Sequence, residues 1–595
     1  MTRPKNYIRK VIFLLTAGEK RRLWVVGLGS IFATLVEVVG IGSIMPFVTV
    51  ASKPSVIQHN KYLHLIFTSF NFKNETSFLI FLGVGVLAML ILTNASQALL
   101  HYIKIKFTSM RRHTLSVRLL TGYLRQGFVY FLNKNSYELA KNINTEIAQI
   151  INTTLMQLVE LISRIIQVTL LAFFLLLINP TSTLIFAVAI IGMYGFIYSS
   201  TRRKLRRLGA ERFELNTERS RIVNEAFWGF KEIKITGNER GIINEFTKPS
   251  LQLARNETIS AVISDVPKFA LETAAFSAII GYVLFMILRS GGFRDAAGAI
   301  TLFTYAGYRL IPAIQALFRS LAQLRYGAAT AEKISKEFET VSNGRLPAIK
   351  KPLRLPFQNR LELINIKFTY PNMDKPVIPN LSLAIQSNSL VGLAGKTGSG
   401  KTTLVDLILG LLTIQEGSIL IDGVELSEDS LCNWQANLAY VPQAIYLSND
   451  TIAANIAFGV EKKNIDMEAV VRACQLSQIH EFIEGELKDR YETRIGERGI
   501  RLSGGQRQRI GIARALYREP SVLIMDEATS ALDNYTERAV MDAIDTLQGS
   551  RTIILIAHRL STLKKCDVIY LLDKGKIIDR GKHDELCNRH SLLFD

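Results

Sequence analysis

Two segments of 26 residues, 23–48 and 78–103, contain Glu37 as their only charged residue. Each is long enough to cross the hydrocarbon core of a bilayer, which takes about 20 apolar residues. Further apolar stretches of comparable character lie at about 158–178, 181–200, 269–288 and 296–318. The sequence therefore predicts a membrane domain of six helices within residues 1–340.

The surplus of basic over acidic residues is confined to this first region. The 595 residues hold 71 Lys and Arg against 51 Asp and Glu, a net charge of +20. Residues 1–340 contain 40 basic and 20 acidic residues, whereas 341–595 contain 31 of each. Because the surplus follows the pattern of membrane spans, it argues against a nucleic-acid-binding face.

Lys and Arg are retained on the cytoplasmic side of a membrane. The segments 1–22, 104–164 and 201–268 carry 30 basic residues in total, and the segments on the other side carry 5. This asymmetry predicts a multi-pass membrane protein with both termini in the cytoplasm. Residues 59–70, on the outer side, have apolar residues at helical spacing, which fits either a short amphipathic helix on the outer leaflet or a partly buried loop.

Residues 341–356 contain three prolines and are typical of a linker. In residues 357–595, apolar strands alternate with helices, which predicts an α/β domain with a mostly parallel sheet. A glycine-rich loop follows one of these strands and precedes a helix; it comprises Gly395, Lys396, Thr397, Gly398, Ser399, Gly400, Lys401, Thr402 and Thr403. This is the phosphate-binding loop pattern, in which backbone N–H groups surround the β-phosphate of ATP, the lysine reaches the β and γ oxygens, and Thr402 supplies a hydroxyl to Mg²⁺.

A second phosphate-site element is the apolar strand that ends in Asp526 and Glu527. Asp526 is positioned to hold the Mg²⁺ shell, and Glu527 is positioned to polarise an attacking water. The four cysteines show no metal-binding spacing, and reduced thiols are the simplest interpretation.

Twenty residues before that strand stands a stretch that resembles the signature sequence of ATP-binding-cassette (ABC) proteins: Leu502, Ser503, Gly504, Gly505 and Gln506. Other family elements follow in family order. The resemblance implies that Tyr370 stacks on adenine and that Gln443 couples the nucleotide to the membrane domain and joins Thr402 and Asp526 around Mg²⁺. It also implies that Asp533 belongs to the D-loop and that His558 contacts the γ-phosphate, so that Glu527, His558 and Gln443 form the catalytic set.

Six helices followed by one cassette is the arrangement of an exporter half-transporter. In this family the signature of one cassette caps the ATP held by another, so the chain must pair. A homodimer is the simplest assembly, and a heterodimer stays open. The resemblance implies that ATP closes the cassette pair, that this closure turns the membrane cavity outward, and that hydrolysis resets it.

Charges inside membrane spans are costly and therefore point to function. Glu37, Glu272, Arg309 and Lys268 are the candidates for the substrate cavity. Arg309 either pairs with one of the glutamates to hold helices together or, with Lys268, grips an anionic headgroup.

Four segments of the membrane region resemble the lipid-linked oligosaccharide flippase of bacterial N-glycosylation: 60–66, 229–239, 267–276 and 307–313. This resemblance implies an amphipathic, lipid-linked oligosaccharide as cargo, moved from the inner to the outer leaflet. Together with the lack of an organellar presequence, it also implies a location in the inner (plasma) membrane. Export of another lipid, a peptide or a drug is the alternative, and a non-transport role such as an ATP-gated channel is a third.

Overall fold

The computed structural model describes residues 9, 11–178, 180–290, 293–342, 353–371, 373–527, 534–557 and 560–590. The chain divides into two compact units. The first comprises 1–126 and 130–345, and the second comprises 127–129 and 346–595. Most of the predicted linker, 343–352, lies outside the described residues.

The first unit is helical. Its α-helices, in chain order, are α1 (Ala17–Ser52), α2 (Val56–His59), α3 (Lys61–Ser69), α4 (Glu75–Leu124), α5 (Phe128–Leu132, whose first residues the division assigns to the second unit), α6 (Ser136–Lys141), α7 (Ile147–Ile150), α8 (Met156–Ile178), α9 (Pro180–Trp228), α10 (Phe230–Thr236), α11 (Glu239–Asp265), α12 (Pro267–Ser290), α13 (Phe293–Tyr326) and α14 (Ala328–Ser342). Two π-helical segments, Asn142–Glu146 and Ile151–Leu155, flank α7.

Each of the six predicted spans lies within one of these helices. Among the described residues, three helical stretches are long and apolar enough to cross a membrane: Ala17–Ser52, Glu75–Leu124 and Ser136–Ile178. For the other three spans, membrane crossing stays a prediction. At 50 and 49 residues, α4 and α9 are about 75 Å long at 1.5 Å per residue, far more than a bilayer core requires. Both helices therefore extend well beyond any membrane they cross.

Glycines set the close approaches between the long helices. A Cβ on Gly40 of α1 would stand 2.7 Å from Oγ1 of Thr93 in α4. A Cβ on Gly209 of α9 would overlap the carbonyl oxygen of Tyr326 at the end of α13. Small residues allow helix backbones to approach this closely, so these two positions define helix crossings.

The segment predicted as either an outer amphipathic helix or a loop is helical. Asn60 caps α3 by accepting hydrogen bonds from the backbone N–H groups of Tyr62 and Leu63, at 3.0 and 3.3 Å. Leu63 is buried in a cluster with Val50 and Phe78, whereas Tyr62 is exposed. The apolar face of α3 is thus partly packed on its own unit.

The second unit is α/β, as predicted. Its strands are β1 (Arg360–Phe368), β2 (Ile378–Gln386), β3 (Leu390–Ala394), β4 (Glu416–Ile421), β5 (Val424–Glu425), β6 (Leu438–Val441), β7 (Val522–Asp526), β8 (Thr552–Ile556), β9 (Val568–Asp573) and β10 (Lys576–Gly581). Its α-helices are α15 (Lys401–Ile408), α16 (Leu431–Gln435), α17 (Ile452–Ile456), α18 (Met467–Leu476), α19 (His480–Glu486), α20 (Gly504–Leu516), α21 (Asn534–Leu547) and α22 (His583–Arg589).

The strands form two sheets. The first has the antiparallel order β2-β1-β4-β5, and the second has the order β10-β9-β3-β8-β7-β6, parallel except for β10. All five residues of β3, β7 and β8 are buried, because a parallel sheet is covered on both faces. This explains why these strands are nearly continuous apolar runs in the sequence, with Asp526 at the end of β7 and Thr552 at the start of β8 as the polar exceptions.

Candidate nucleotide site and intramembrane charges

The sheet order brings the predicted nucleotide motifs to one edge. Strands β3, β8, β7 and β6 are neighbours and parallel, so their carboxyl ends lie side by side. The loops that leave these ends contain Gly395–Thr402, His558, Glu527 and Gln443 respectively. Ligands of open α/β sheets bind at this edge. His558 and Asp533 themselves lie outside the described residues.

The glycine-rich loop joins β3 to α15. A Cβ on Gly395 would overlap the carbonyl oxygen of Leu572 and stand 2.7 Å from Oγ of Ser399, so the loop closes only with glycine there. Within the loop, Lys396, Thr397 and Gly398 are exposed, whereas Ser399 is buried. The exposed middle of the loop can therefore meet a phosphate chain.

Lys401 is folded back onto the loop. Its Nζ donates hydrogen bonds to the carbonyl oxygens of Gly395, at 2.7 Å, and Lys396, at 3.1 Å. Burial lowers the pKa of the Lys401 ammonium, and the carboxylates of Glu527 and Asp526 partly offset that effect. The ammonium thus lies inside the loop that is expected to bind the phosphates of ATP.

Thr402 is exposed at the start of α15, and Thr403 is buried behind it. The hydroxyl groups of Thr403 and Tyr370 lie 3.2 Å apart, and the Tyr370 ring packs edge-on against Phe368 with centroids 4.9 Å apart. These contacts hold the Tyr370 ring beside the loop, in the part of the unit where the resemblance places adenine.

Asp526 ends β7 and is buried. The Tyr440 hydroxyl donates to its Oδ2 at 3.2 Å. Burial, reinforced by the Asp526 carboxylate, raises the pKa of Asp406 to about 6. Sequence reasoning missed both Tyr440 and Asp406. For Asp406 the available signal was an acidic residue among the apolar residues 404–408 of α15.

Glu527 follows Asp526 in an unusual backbone conformation. Its φ of 46° is positive, which is rare for a residue with a side chain and is often found at functional sites. Its N–H donates to the carbonyl oxygen of Ile556 at 3.0 Å, and its Oε2 accepts a hydrogen bond of 2.6 Å from Nε2 of Gln443. The tertiary fold thus places two of the predicted catalytic residues in direct contact.

The signature residues form the start of α20. Ser503 Oγ accepts from the N–H of Gln506 at 3.2 Å, and Gln506 Oε1 accepts from the N–H of Ser503 at 2.8 Å. This reciprocal capping box fixes the first turn. Leu502 and Gly505 are buried, whereas Ser503 and Gly504 are exposed.

In the helical unit, Arg309 of α13 pairs with Glu37 of α1. Their closest atoms, Nε and Oε1, are 3.8 Å apart. Of the two arrangements considered for Arg309, the structure therefore contains the ion pair, which joins two helices. Glu37 is 1% exposed, and the Arg309 side chain is 20% exposed.

Lys268 and Glu272 also form a pair, with Nζ and Oε1 3.7 Å apart. Both residues belong to α12 and both side chains are more than a third exposed, so this pair does not join helices. Sequence reasoning missed the neutral polar partners of Glu37, which are Gln97 and Gln167. Uncharged polar residues inside the apolar spans would have indicated them.

The fold and the site define a protein with a helical membrane unit and a phosphate-loop nucleotide unit. Residues 378–530 match the family model of the ABC transporter, and residues 23–309 match that of the ABC transporter transmembrane region. An ATP-dependent lipid A-core flippase of Burkholderia orbicola (strain AU 1054) is 32% identical over 521 residues, covering 86% of this chain and 85% of the relative. The corresponding flippase of Saccharophagus degradans (strain 2-40 / ATCC 43961 / DSM 17024) is 35% identical over 494 residues, covering 81% of this chain and 80% of the relative.

Among solved structures, a bacterial Atm1-family ABC exporter with ATP bound matches with a TM-score of 0.74 at 22% identity, covering 96% of this chain and 97% of that one. This similarity concerns the fold. The chain belongs to the ABC transporter family and is a half-transporter of the exporter type. It is a membrane protein that binds ATP and couples ATP hydrolysis to transport.

Proposed function

We propose that the protein is an ATP-driven flippase that moves an anionic, amphipathic lipid from the inner to the outer leaflet, with a lipid-linked oligosaccharide as the favoured cargo. The observation that carries this proposal is the Arg309 guanidinium, which lies within a predicted membrane span and is only partly covered. A charged side chain in that position costs free energy unless it forms an ion pair or binds a ligand.

The relatives are named as lipid A-core flippases, which supports a lipid cargo. Lipid A-core is therefore the second candidate cargo, after the lipid-linked oligosaccharide. Both candidates suit an amphipathic route in which the headgroup meets polar side chains and the apolar chain stays in hydrocarbon. The short helix α3, with exposed Tyr62 near its start and exposed Phe70 directly after its end, is suited to contact the apolar part of the cargo near the outer leaflet.

The nucleotide site supplies the driving force. In the proposed cycle Gly395–Thr402 binds the phosphates of ATP, Tyr370 stacks on adenine, and residues 502–506 of a second copy cap the nucleotide. Glu527 then polarises the attacking water, with Gln443 and His558 positioning it against the γ-phosphate. Binding can shift the cycle only through contacts made in the closed state, which the capping signature supplies.

Mg²⁺ fits the donor set of this site. The hydroxyl of Thr402, the carboxylate of Asp526 and the amide oxygen of Gln443 are all oxygen ligands, which Mg²⁺ prefers. When bound, the ion would neutralise charge on the phosphate oxygens. We propose further that the assembly is a homodimer in the inner membrane with both termini cytoplasmic, because one chain carries one copy of each motif and its basic residues follow one side of the predicted topology.

The test is ATP-dependent flipping in proteoliposomes that contain either a fluorescent lipid-linked oligosaccharide or fluorescent lipid A-core. We expect outward movement of at least one lipid with wild-type protein and ATP, and none with Glu527→Gln. Equal rates with and without ATP hydrolysis for both lipids would contradict the proposal. The lipid that moves decides between the two cargoes.

A further inference from the structure

Arg309 and Glu37 belong to a longer chain of polar contacts that lies along the predicted spans. At the predicted cytoplasmic end, Lys104 Nζ donates to Oε2 of Glu160 at 2.9 Å, and Arg164 Nε donates to Oε1 of the same glutamate at 2.6 Å. Arg164 NH1 then donates to Oε1 of Gln167 at 2.7 Å, and Gln167 Nε2 donates to Oε2 of Glu37 at 2.7 Å. Helices α4, α8 and α1 are thereby linked by one continuous path.

The two oxygens of Glu37 have different partners. Oε2 accepts from both side-chain amides, Gln167 at 2.7 Å and Gln97 at 3.0 Å. Oε1 faces Nε of Arg309 at 3.8 Å, too far for a hydrogen bond. At Oε2 the carboxylate is therefore held by hydrogen bonds from two neutral amides. At Oε1 its interaction with Arg309 is electrostatic attraction without a hydrogen bond.

Arg309 is held less firmly than Glu37. Within the described residues, its buried Nε donates no hydrogen bond. Its NH2 makes two long ones, to Oδ1 of Asn94 at 3.2 Å and to the Tyr305 hydroxyl at 3.4 Å. The contact with Asn94 is exposed. One edge of the guanidinium therefore faces Glu37, and the other edge is accessible to a ligand.

The charges along this chain do not cancel. Within the described residues, the path contains three cations, Lys104, Arg164 and Arg309, and two carboxylates, Glu160 and Glu37. Glu160 is hydrogen-bonded to two of the cations at 2.9 and 2.6 Å, which leaves Arg309 with the more distant carboxylate. This series of polar contacts therefore has one surplus positive charge, and it lies at the end formed by Arg309, whose guanidinium makes only long hydrogen bonds.

We propose that Glu37 is an internal counter-ion that occupies Arg309 when no cargo is bound, and that the anionic headgroup of the lipid displaces it. A phosphate can form the short, bidentate hydrogen bonds that the guanidinium lacks in the pair with Glu37. Glu37 keeps its two amide donors when Arg309 leaves, so the exchange does not strand a buried carboxylate without partners. Glu37 thus sets how strongly an anionic headgroup must bind to displace it, and Arg309 supplies the preference for an anionic over an uncharged lipid.

This inference rests on the proposed function for the nature of the cargo, but its test needs no transport. The probe is hexadecyl phosphate, with hexadecyl glucoside as the uncharged lipid of equal chain length. Their dissociation constants would be measured by native mass spectrometry on the nucleotide-free full-length protein in an uncharged detergent. Glu37→Gln preserves an oxygen for the two amide donors and removes the charge that faces Arg309.

We expect Glu37→Gln to tighten binding of hexadecyl phosphate by about tenfold, because the competing charge is gone, and to leave hexadecyl glucoside unchanged. Arg309→Gln should abolish the preference for phosphate over glucoside. Adding Glu37→Gln to Arg309→Gln should then change nothing further, because the two residues act as a pair.

Glu160→Gln is the matched control, since it removes a carboxylate from the same chain that is hydrogen-bonded to Lys104 and Arg164 instead of Arg309. An equal gain in affinity from Glu160→Gln would mean that the net charge of the region controls binding. It would overturn the proposal that the headgroup displaces Glu37 from Arg309. So would an unchanged ratio of the two dissociation constants in Glu37→Gln, which is the result expected if the pair only holds helices together.

Glu37→Asp covers the case in which Glu37→Gln does not fold. It retains the charge but shortens the side chain, so its affinity for hexadecyl phosphate should lie between those of wild type and Glu37→Gln; wild-type affinity would contradict the proposal. If the binding pattern appears but neither lipid is flipped in proteoliposomes, the proposed function fails and the counter-ion role stands. If a lipid is flipped but the binding ratio does not move, only the counter-ion role fails.

Discussion

Gln443 donates a hydrogen bond of 2.6 Å to the carboxylate of Glu527, although the two residues are 84 positions apart in the chain. The contact forms because β6 and β7 are parallel neighbours, with Val441 beside Met525, so both loops leave the sheet together. A residue proposed to act as base is therefore held by a residue proposed to sense the nucleotide. A movement of the Gln443 loop would therefore shift or break this contact with the Glu527 carboxylate.

We predict that Glu527→Gln retains ATP binding but lowers ATP turnover at least about 100-fold, because an amide cannot accept the proton of the attacking water. The amide oxygen can still accept the Gln443 hydrogen bond, so the local geometry should survive. The measurement is the rate of phosphate release alongside retention of labelled ATP. Glu468→Gln, at an exposed carboxylate of the same unit, is the control and should turn over ATP normally. Wild-type turnover by Glu527→Gln would exclude the role assigned to Glu527.

Asp406 should make stability depend on pH. Its pKa is raised by burial to about 6 from an ordinary value of 3.8, so the folded protein holds this proton more tightly than the unfolded chain does. The stabilisation from the bound proton is present below about pH 4 and is lost as the pH rises to about 6. Asp406→Asn avoids the buried charge, and we expect it to stabilise the protein by about 1 kcal/mol more at pH 8 than at pH 5.

The measurement for Asp406→Asn is the thermal unfolding temperature of the full chain in detergent with EDTA, compared at the two pH values. Asp429→Asn, which removes an exposed carboxylate, serves as the control. A stabilisation by Asp406→Asn that is the same at pH 5 and pH 8, or greater at pH 5, would show that burial does not govern this carboxyl group.

Gly209 should be intolerant of a side chain. Gly209→Ala places a methyl group against the backbone oxygen of Tyr326, so α9 and α13 would have to move apart. We expect a loss of several degrees in unfolding temperature, of the size that overpacking by about 1–3 kcal/mol produces. Gly192→Ala, in the same helix with no atom within 4 Å of the added Cβ, is the matched control and should be neutral or slightly stabilising. Equal changes in unfolding temperature for the two substitutions would show that α9 and α13 do not approach each other closely at Gly209.

The buried pair of Glu146 and Arg212 should matter far more than pairs on the surface. Arg212 NH1 lies 3.1 Å from Oε2 of Glu146, which is fully buried and also accepts from Asn216 at 2.8 Å. Glu146→Ala leaves the guanidinium buried without its counter-ion, at a cost of about 3–5 kcal/mol. Thermal unfolding would measure the loss, and Arg212→Met added to Glu146→Ala should restore part of it.

Glu218→Ala is the control for that experiment, because Glu218 pairs with Arg221 on an exposed face. Exposed pairs contribute at most about 1 kcal/mol. If Glu146→Ala were no more destabilising than Glu218→Ala, the π-helical segment that ends at Glu146 would not depend on this ion pair.

Much of the site could be predicted because its chemistry is local in the chain. The residues of the loop Gly395–Thr402 are consecutive, and the apolar strand before Asp526 is readable without any tertiary information. The apolar spans were equally readable, since length and hydropathy are properties of a segment. Tyr440 and Asp406 escaped prediction because their roles depend on Asp526, which hydrogen-bonds to Tyr440 and acts electrostatically on Asp406, and chain order does not show that proximity.

The sequence by itself determined the class of each half: long uncharged runs can be stable only in a membrane or a core, and the order of glycines, lysine and carboxylates specifies a phosphate site. Only the tertiary structure decided which polar residues meet. It paired Arg309 with Glu37 instead of Glu272, and it gave Glu37 two amide donors from α4 and α8. Such pairings depend on how helices from distant parts of the chain are rotated and spaced at crossings such as that of Gly40 and Thr93, and the hydropathy of each span does not contain that information.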